Sequence, residues 1–412
     1  MRIGLIGHNS VEYVQKLFEI WNSENSAVLI DYDTPPSVIK QILDECKIEY
    51  CFAEESLCCL FKNPTPFEIK TYSIQYNMPC FLPPSIRTEF KERYDEKEAV
   101  VIYSSGTTGK CKGISLSHRA INNNADSIID YMKPTVEDRL YLNKKLTHCS
   151  SLIGELLLAL KSGADILLSP IIVPPRVVFK NILDFNVTIL CCNPILIKLY
   201  ADEAERKKGF PASVKSVYSS GDIISAKEIE RARKIFDCPV YNVYGQSECG
   251  PRITAQTKDC CHGNSAGKPI KNIEVKIDDN GEILVKTNAL FSGYTNLNIE
   301  TREWHRTGDL GYIGTDGELY VTGRTDNMIV IGAHNIYPEA IEKVIMENTD
   351  VDDCIVYKKN DTLVCDYIAS KKMDIDISRV IKPLLIPYEV PKVYRNVDSI
   401  SRNRSEKKLR KQ

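Results

Sequence analysis

From Tyr103 to Gly113 the chain reads YSSGTTGKCKG, with hydroxyls, glycines and lysines set directly behind the apolar run AVVIY at 99–103. Ser104, Ser105, Thr107 and Thr108 offer hydroxyl groups, Gly106 and Gly109 leave backbone N–H groups open to a ligand, and Lys110 and Lys112 add charge. Such a turn suits an anion, phosphate above all, because N–H dipoles and cations converge where no bulky side chain intervenes. A Walker A loop would need glycine in place of Ser104 and Ser or Thr in place of Cys111, so a P-loop is excluded. Fifteen cysteines invite a metal or disulfide reading. The count is odd, no CxxC occurs, and Cys260, Cys261 and His262 are too tightly spaced to close a zinc tetrahedron alone. Most are expected to be reduced, buried small hydrophobes.

The elements that must position the loop follow from periodicity. IGLIG, VEYVQKLFEIW, AVLIDY, SVIKQILDEC and IEYCFA alternate strand and helix, the signature of parallel βαβ units. Residues 84–98 are polar and lead into the strand before the loop. The α/β pattern continues through ADILLSP, NVTILCCNP and SVKSVYSSG to about residue 250. From 265 to 325 the NG and DG dipeptides in IEVKIDDNGEILVK and YIGTDGELYVTG predict antiparallel hairpins. Beyond 326, PEAIEKVIMEN, DCIVYKK, LVCDYIAS and ISRVIKPLL predict a small α+β unit ending in a basic tail.

The whole has 412 residues, 43% hydrophobic, with 53 basic against 55 acidic side chains and a net charge of −2. That balance argues against broad capture of nucleic acid or of anionic membrane, which needs a basic excess. No transmembrane-length apolar run and no signal segment stands out in MRIGLIGHNSVEYVQ, and a cytoplasmic enzyme working through pockets is expected.

The loop resembles the phosphate-binding signature YTSGTTGxPKG of the adenylate-forming superfamily, which contains acyl- and aryl-CoA ligases, nonribosomal-peptide adenylation domains and luciferases. YNVYGQSE (241–248) is similar to its YGxTE, HRTGDLG (305–311) to its YxTGDL, and GRTDNMIVIGAHNIYPEAIE (323–342) to its hinge motif. SAGKPIKNIEVKI and GEILVKTNALFSGY agree as well. The resemblance implies a large α/β domain at 1–325, whose 265–325 segment is β-rich, and a mobile α+β lid at 327–412 rotating about Asp326. It also implies that an N-terminal segment usual in the family is missing.

It further implies ATP and Mg2+, with a carboxylate attacking the α-phosphate to give an acyl-adenylate and pyrophosphate. By resemblance, Ser104, Ser105, Gly106, Thr107, Thr108, Gly109 and Lys112 would hold the β- and γ-phosphates. Ser247 would touch the α-phosphate, Glu248 would bind Mg2+ and Asp309 the ribose hydroxyls, aided by Arg324. Gly221, Asp222, Asn242, Tyr244 and Gly245 lie in segments that sandwich adenine. The tail SEKKLRK is similar to the family's SGKxxR, placing Lys407 as the catalytic lysine, with Lys408 as the neighbour that could replace it, and Arg410 at the final position.

Amino-acid-activating members carry an Asp in the segment corresponding to THCSSLIGELL, where this chain has Thr147, His148, Cys149, Ser150 and Ser151, with Glu155 a helical turn or two too late. His148, Cys149, Ser150, Cys192, Ser219, Ser220, Gln246 and Cys249 form the expected acid pocket, small and polar. A compact hydroxylated aryl acid fits it better than an amino acid or a long alkyl chain. The aryl-acid branch, which activates dihydroxybenzoates for catecholate siderophores such as petrobactin, is the leading placement. Its acceptor would be the phosphopantetheine thiol of a carrier protein supplied in trans. The alternatives are an acyl-CoA ligase using free coenzyme A and a non-catalytic nucleotide-binding relative.

Overall fold

Apolar strands separated by amphipathic helices must bury both faces of a sheet, and parallel pairing with crossover helices achieves this. In the computed structural model, which describes residues 1–61, 68–75, 78–105, 111–295, 303–331, 334–369, 376–402 and 408–410 (backbone only at 104, 105, 111 and 335), two such sheets make up most of the chain. The first has seven strands in the order Gly293–Tyr294, Cys111–Ser117, Glu98–Ser105, Ser26–Ile30, Arg2–Ile6, Tyr50–Glu54 and Glu68–Tyr72. Its five strands from Glu98–Ser105 onward run parallel, and Cys111–Ser117 folds back antiparallel on Glu98–Ser105. These two paired strands flank residues 106–110 of the phosphate-type loop.

The helices follow the expected pattern. Val11–Asn22 starts where the Ser10 side chain accepts from the Tyr13 N–H, and it buries Tyr13, Val14, Leu17, Phe18 and Trp21 at helical spacing. Ser117 caps His118–Met132 in the same way, accepting from the Ala120 N–H.

The second sheet has eight strands: Lys268–Pro269, Thr254–Ala255, Val240–Tyr244, Ser216–Ser219, Ile189–Cys192, Arg139–Leu142, Asp165–Leu168 and Cys80–Phe81. The central five are parallel. Lys268–Pro269 extends this sheet, so the β-rich unit begins a few residues later than the composition change at 265 suggests. That unit is an antiparallel meander of Ile273–Ile277, Glu282–Thr287, His305–Ile313 and Leu319–Arg324, with the NG and DG dipeptides at its turns. The C-terminal part packs helix Pro338–Asn348 against Asp353–Lys359, Thr362–Ile368 and Val393–Asn396.

None of the described cysteines is paired, and most are buried. Among the described residues no helix is long and apolar enough to cross a membrane.

Candidate active site

Three sheets deliver side chains to one place. Val240–Tyr244 of the second sheet ends in a 3-10 turn, Ser247–Cys249, carrying Ser247 and Glu248. Gly245 precedes that turn because a Cβ there would lie 2.2 Å from the Pro251 carbonyl oxygen, a backbone clash no rotamer relieves. Tyr294, on the edge strand of the first sheet, donates its hydroxyl to Glu248 Oε1 at 2.8 Å. Lys112 Nζ lies 5.3 Å from the centre of the Tyr294 ring, so the cation beside the loop and the carboxylate share one aromatic neighbour.

The meander supplies Asp309, which is almost wholly buried. Its Oδ1 accepts from Arg324 Nη1 at 2.6 Å, and its Oδ2 accepts from the Tyr244 hydroxyl at 2.6 Å and from Gln246 Nε2 at 2.5 Å. Burial and the adjacent carboxylate push the Tyr244 phenol well above its ordinary range, so it stays a donor. Burial would lower Arg324, yet Asp309 and Asp326 prevail and its pKa is raised. Arg324 Nε is buried with no acceptor among the described residues, a donor that a ribose or phosphate oxygen would satisfy.

Of the adenine-side candidates, Gly221 and Asp222 are exposed at the end of strand Ser216–Ser219, and Asp222 accepts from the Ile223 N–H at 2.8 Å. Asn242 spends its amide on the Asn264 and Ser265 carbonyls, holding that loop against the sheet.

The residues expected in the acid pocket are placed as follows, with one exception to the expectation. Cys149 and Cys249 are buried, and burial raises the Cys149 thiol to about 12 against smaller opposing effects from Ser247 and Arg252. Cys192 pairs with Ser219 across parallel strands, and Ser220 donates its N–H to the Cys192 carbonyl at 2.9 Å. The Ser219 hydroxyl is buried without a partner among the described residues. His148 and Ser150 are half-buried, and burial depresses His148 to about 4, leaving a neutral imidazole. Gln246 is the exception. It does not stand in the acid wall, because its amide donates to the Thr307 carbonyl at 2.7 Å as well as to Asp309.

Tyr294 was missed as a functional residue, although it closes the quoted stretch ending in SGY. Arg252, Lys144 and Glu155 were missed as a group. Arg252 is one of the largest fully buried side chains, and Lys144 Nζ lies 2.8 Å from Glu155 Oε1. Glu155 lies in Leu152–Leu157, a π-helix in place of the expected α-helical turn, and is 1% exposed.

Gly106, Thr107, Thr108, Gly109 and Lys407 lie outside the described residues, as do the side chains of Ser104 and Ser105. Lys408 is described and is committed elsewhere. Its Nζ donates to the Cys354 carbonyl at 2.6 Å and pairs with Asp353 at 2.7 Å. Arg410 is likewise held, by Glu339 and Glu342.

The model of the AMP-binding enzyme family matches residues 1–295, and the chain belongs to that family. Its enzymes are adenylate-forming ligases that use ATP with Mg2+. The chain is 24% identical over its full length to the 2-succinylbenzoate–CoA ligase of Lactococcus lactis subsp. lactis (strain IL1403), covering 90% of that protein. It is 23% identical over its full length to the fatty acid–[acyl-carrier-protein] ligase ScoC of Streptomyces coeruleorubidus, covering 86% of it. The anthranilate CoA ligase AuaEII, solved in complex with anthranoyl-AMP, shares the fold with a TM-score of 0.85 at 20% identity, over 99% of this chain and 86% of that one.

Proposed function

We propose that the chain activates a compact carboxylic acid as its acyl-adenylate and passes the acyl group to a pantetheine thiol. The observation that carries this is Asp309, buried and fixed by Tyr244, Gln246 and Arg324 beside the turn that bears Ser247 and Glu248. A carboxylate so oriented is an acceptor pair for vicinal ribose hydroxyls. Ser104, Ser105, Thr107, Thr108 and Lys112 hold the outer phosphates, and Ser247 meets the α-phosphate. Glu248 would hold Mg2+ through its carboxylate oxygen, and the ion would supply charge that offsets that of the phosphates. Lys407 bridges the acid's carboxylate and the α-phosphate, stabilising charge that builds in the transition state. Attack of the carboxylate oxygen on phosphorus forms the acyl–phosphate bond and expels pyrophosphate. Asp326, about half exposed in the turn Thr325–Asn327, is the hinge for the second half-reaction.

Coenzyme A is the leading acceptor, supported by the ligases to which the chain is similar. A second reading, a dihydroxybenzoate passed to a carrier protein, is favoured by one observation: the unpartnered Ser219 hydroxyl beside Ser220, which could meet a ring hydroxyl. Loading assays with coenzyme A and with a phosphopantetheinylated carrier decide the acceptor. Thioester formed on coenzyme A alone supports the first reading, and formation on the carrier alone supports the second.

A further inference from the structure

Lys144, Glu155 and Arg252 come from three distant parts of the sequence and meet among the residues assigned above to the acid pocket. Glu155 is 1% exposed and Arg252 2%. Lys144, at 13% side-chain exposure, contacts Glu155. Gly154 leaves the room for this arrangement, since a Cβ there would stand 3.3 Å from Arg252 Nη2. Cys191 and Cys192 end strand Ile189–Cys192, and burial raises both thiols while the nearby Lys144 opposes it. Cys149, assigned above to the acid pocket, is buried with Ser247 and Arg252 near enough to oppose the rise that burial gives its thiol, so the cluster borders that pocket.

The charges do not balance. Two cations face one carboxylate, and no acidic oxygen among the described residues lies within 4 Å of the Arg252 guanidinium, whose Nη1 donates to the Pro251 carbonyl. Arg252 Nε is buried without an acceptor among the described residues. The neighbouring groups do not repair this: His148 is neutral, and Asp31 is held by Lys145. A buried surplus positive charge is costly unless an anion accompanies it.

We infer that this cluster binds a second carboxylate, so that the substrate is a dicarboxylic acid whose far end rests on Arg252 and Lys144. The inference rests on the adenylation reading and narrows its substrate. Glu155 orients Lys144, and the distal carboxylate takes the unpartnered Arg252 donor in a charge-assisted hydrogen bond.

The test uses the full-length protein and matched probes, 2-succinylbenzoate and phthalate against their distal monomethyl esters, together with 2,3- and 3,4-dihydroxybenzoate. Each is offered in ATP–pyrophosphate exchange. The free diacids should exceed their esters and the dihydroxybenzoates by at least about 10-fold in kcat/KM, and Arg252→Gln should shrink the diacid-to-ester ratio by about 10- to 100-fold. Lys144→Gln, nearer the surface, should shrink it in the same direction if Arg252→Gln fails to fold. Exchange that is equal for diacids and esters, or that favours a dihydroxybenzoate, overturns the dicarboxylate inference while leaving adenylation standing. Exchange with none of the acids, in protein shown to bind ATP, overturns both.

Discussion

The Tyr294 hydroxyl donates to Glu248 Oε1 at 2.8 Å and so joins the edge of the first sheet to the turn ending a strand of the second. The same tyrosine presents its ring to Lys112. Tyr294→Phe deletes the hydrogen bond and keeps the ring. The Mg2+ concentration giving half-maximal exchange should rise about 3- to 10-fold, with Lys112 still in place. An unchanged Mg2+ dependence would remove Tyr294 from the site.

Lys407 and Lys408 are expected to separate cleanly. Lys407→Ala should abolish pyrophosphate exchange with ATP binding and thermal stability retained. Lys408→Ala should leave the Cys354 carbonyl without its donor and Asp353 with Arg402 alone, and destabilise the C-terminal part by about 1–3 kcal/mol, read in denaturant unfolding. A stable Lys408→Ala protein without exchange activity, beside an active Lys407→Ala, reverses the assignment.

Stability should depend on His118. It is 3% exposed beneath Trp21, and burial, with Arg93 and Lys97 nearby, lowers it from 6.5 to about 4, while Asp95 opposes. The folded state therefore holds the neutral ring. Below pH 6.5 the unfolded chain takes up a proton that the folded one refuses, so stability falls as pH drops from 6.5 to about 4. At about 1.4 kcal/mol per unit the full loss is roughly 3 kcal/mol. His118→Gln should flatten the dependence across that window, and an unaltered slope would exclude His118 as its source.

Much of this was legible beforehand because it is local. The βαβ order, the hairpins at NG and DG and the loop behind AVVIY follow from periodicity and turn chemistry over a few residues. Motif order singles out Asp309, Glu248 and Arg324, and the structure brings Asp309 and Arg324 together. Gln246 was misplaced because a short turn leaves its side-chain direction open, and only the meander packed beside it supplies the Thr307 carbonyl and Asp309 that claim the amide. Glu155 was set aside on α-helical spacing, which the π-helical turn breaks. Arg252 and Lys144 carry no local signal, since their meeting is a product of tertiary packing.

Asp326→Pro fixes φ in the turn Thr325–Asn327 and should slow thioester formation by at least about 10-fold while adenylate formation stays near wild type. Equal losses in both half-reactions would argue that Asp326 is a structural residue and not a hinge.

The central claim is that the chain makes acyl-adenylates, and Asp309→Ala tests it beside the wild type in acid-dependent ATP–pyrophosphate exchange. The wild-type protein should catalyse exchange that requires both a carboxylic acid and Mg2+, and Asp309→Ala should raise the KM for ATP by roughly 10-fold or more through loss of two acceptor oxygens and release of Arg324. Wild-type protein that binds ATP yet gives no exchange with any carboxylic acid, or exchange indifferent to Asp309, would contradict the account.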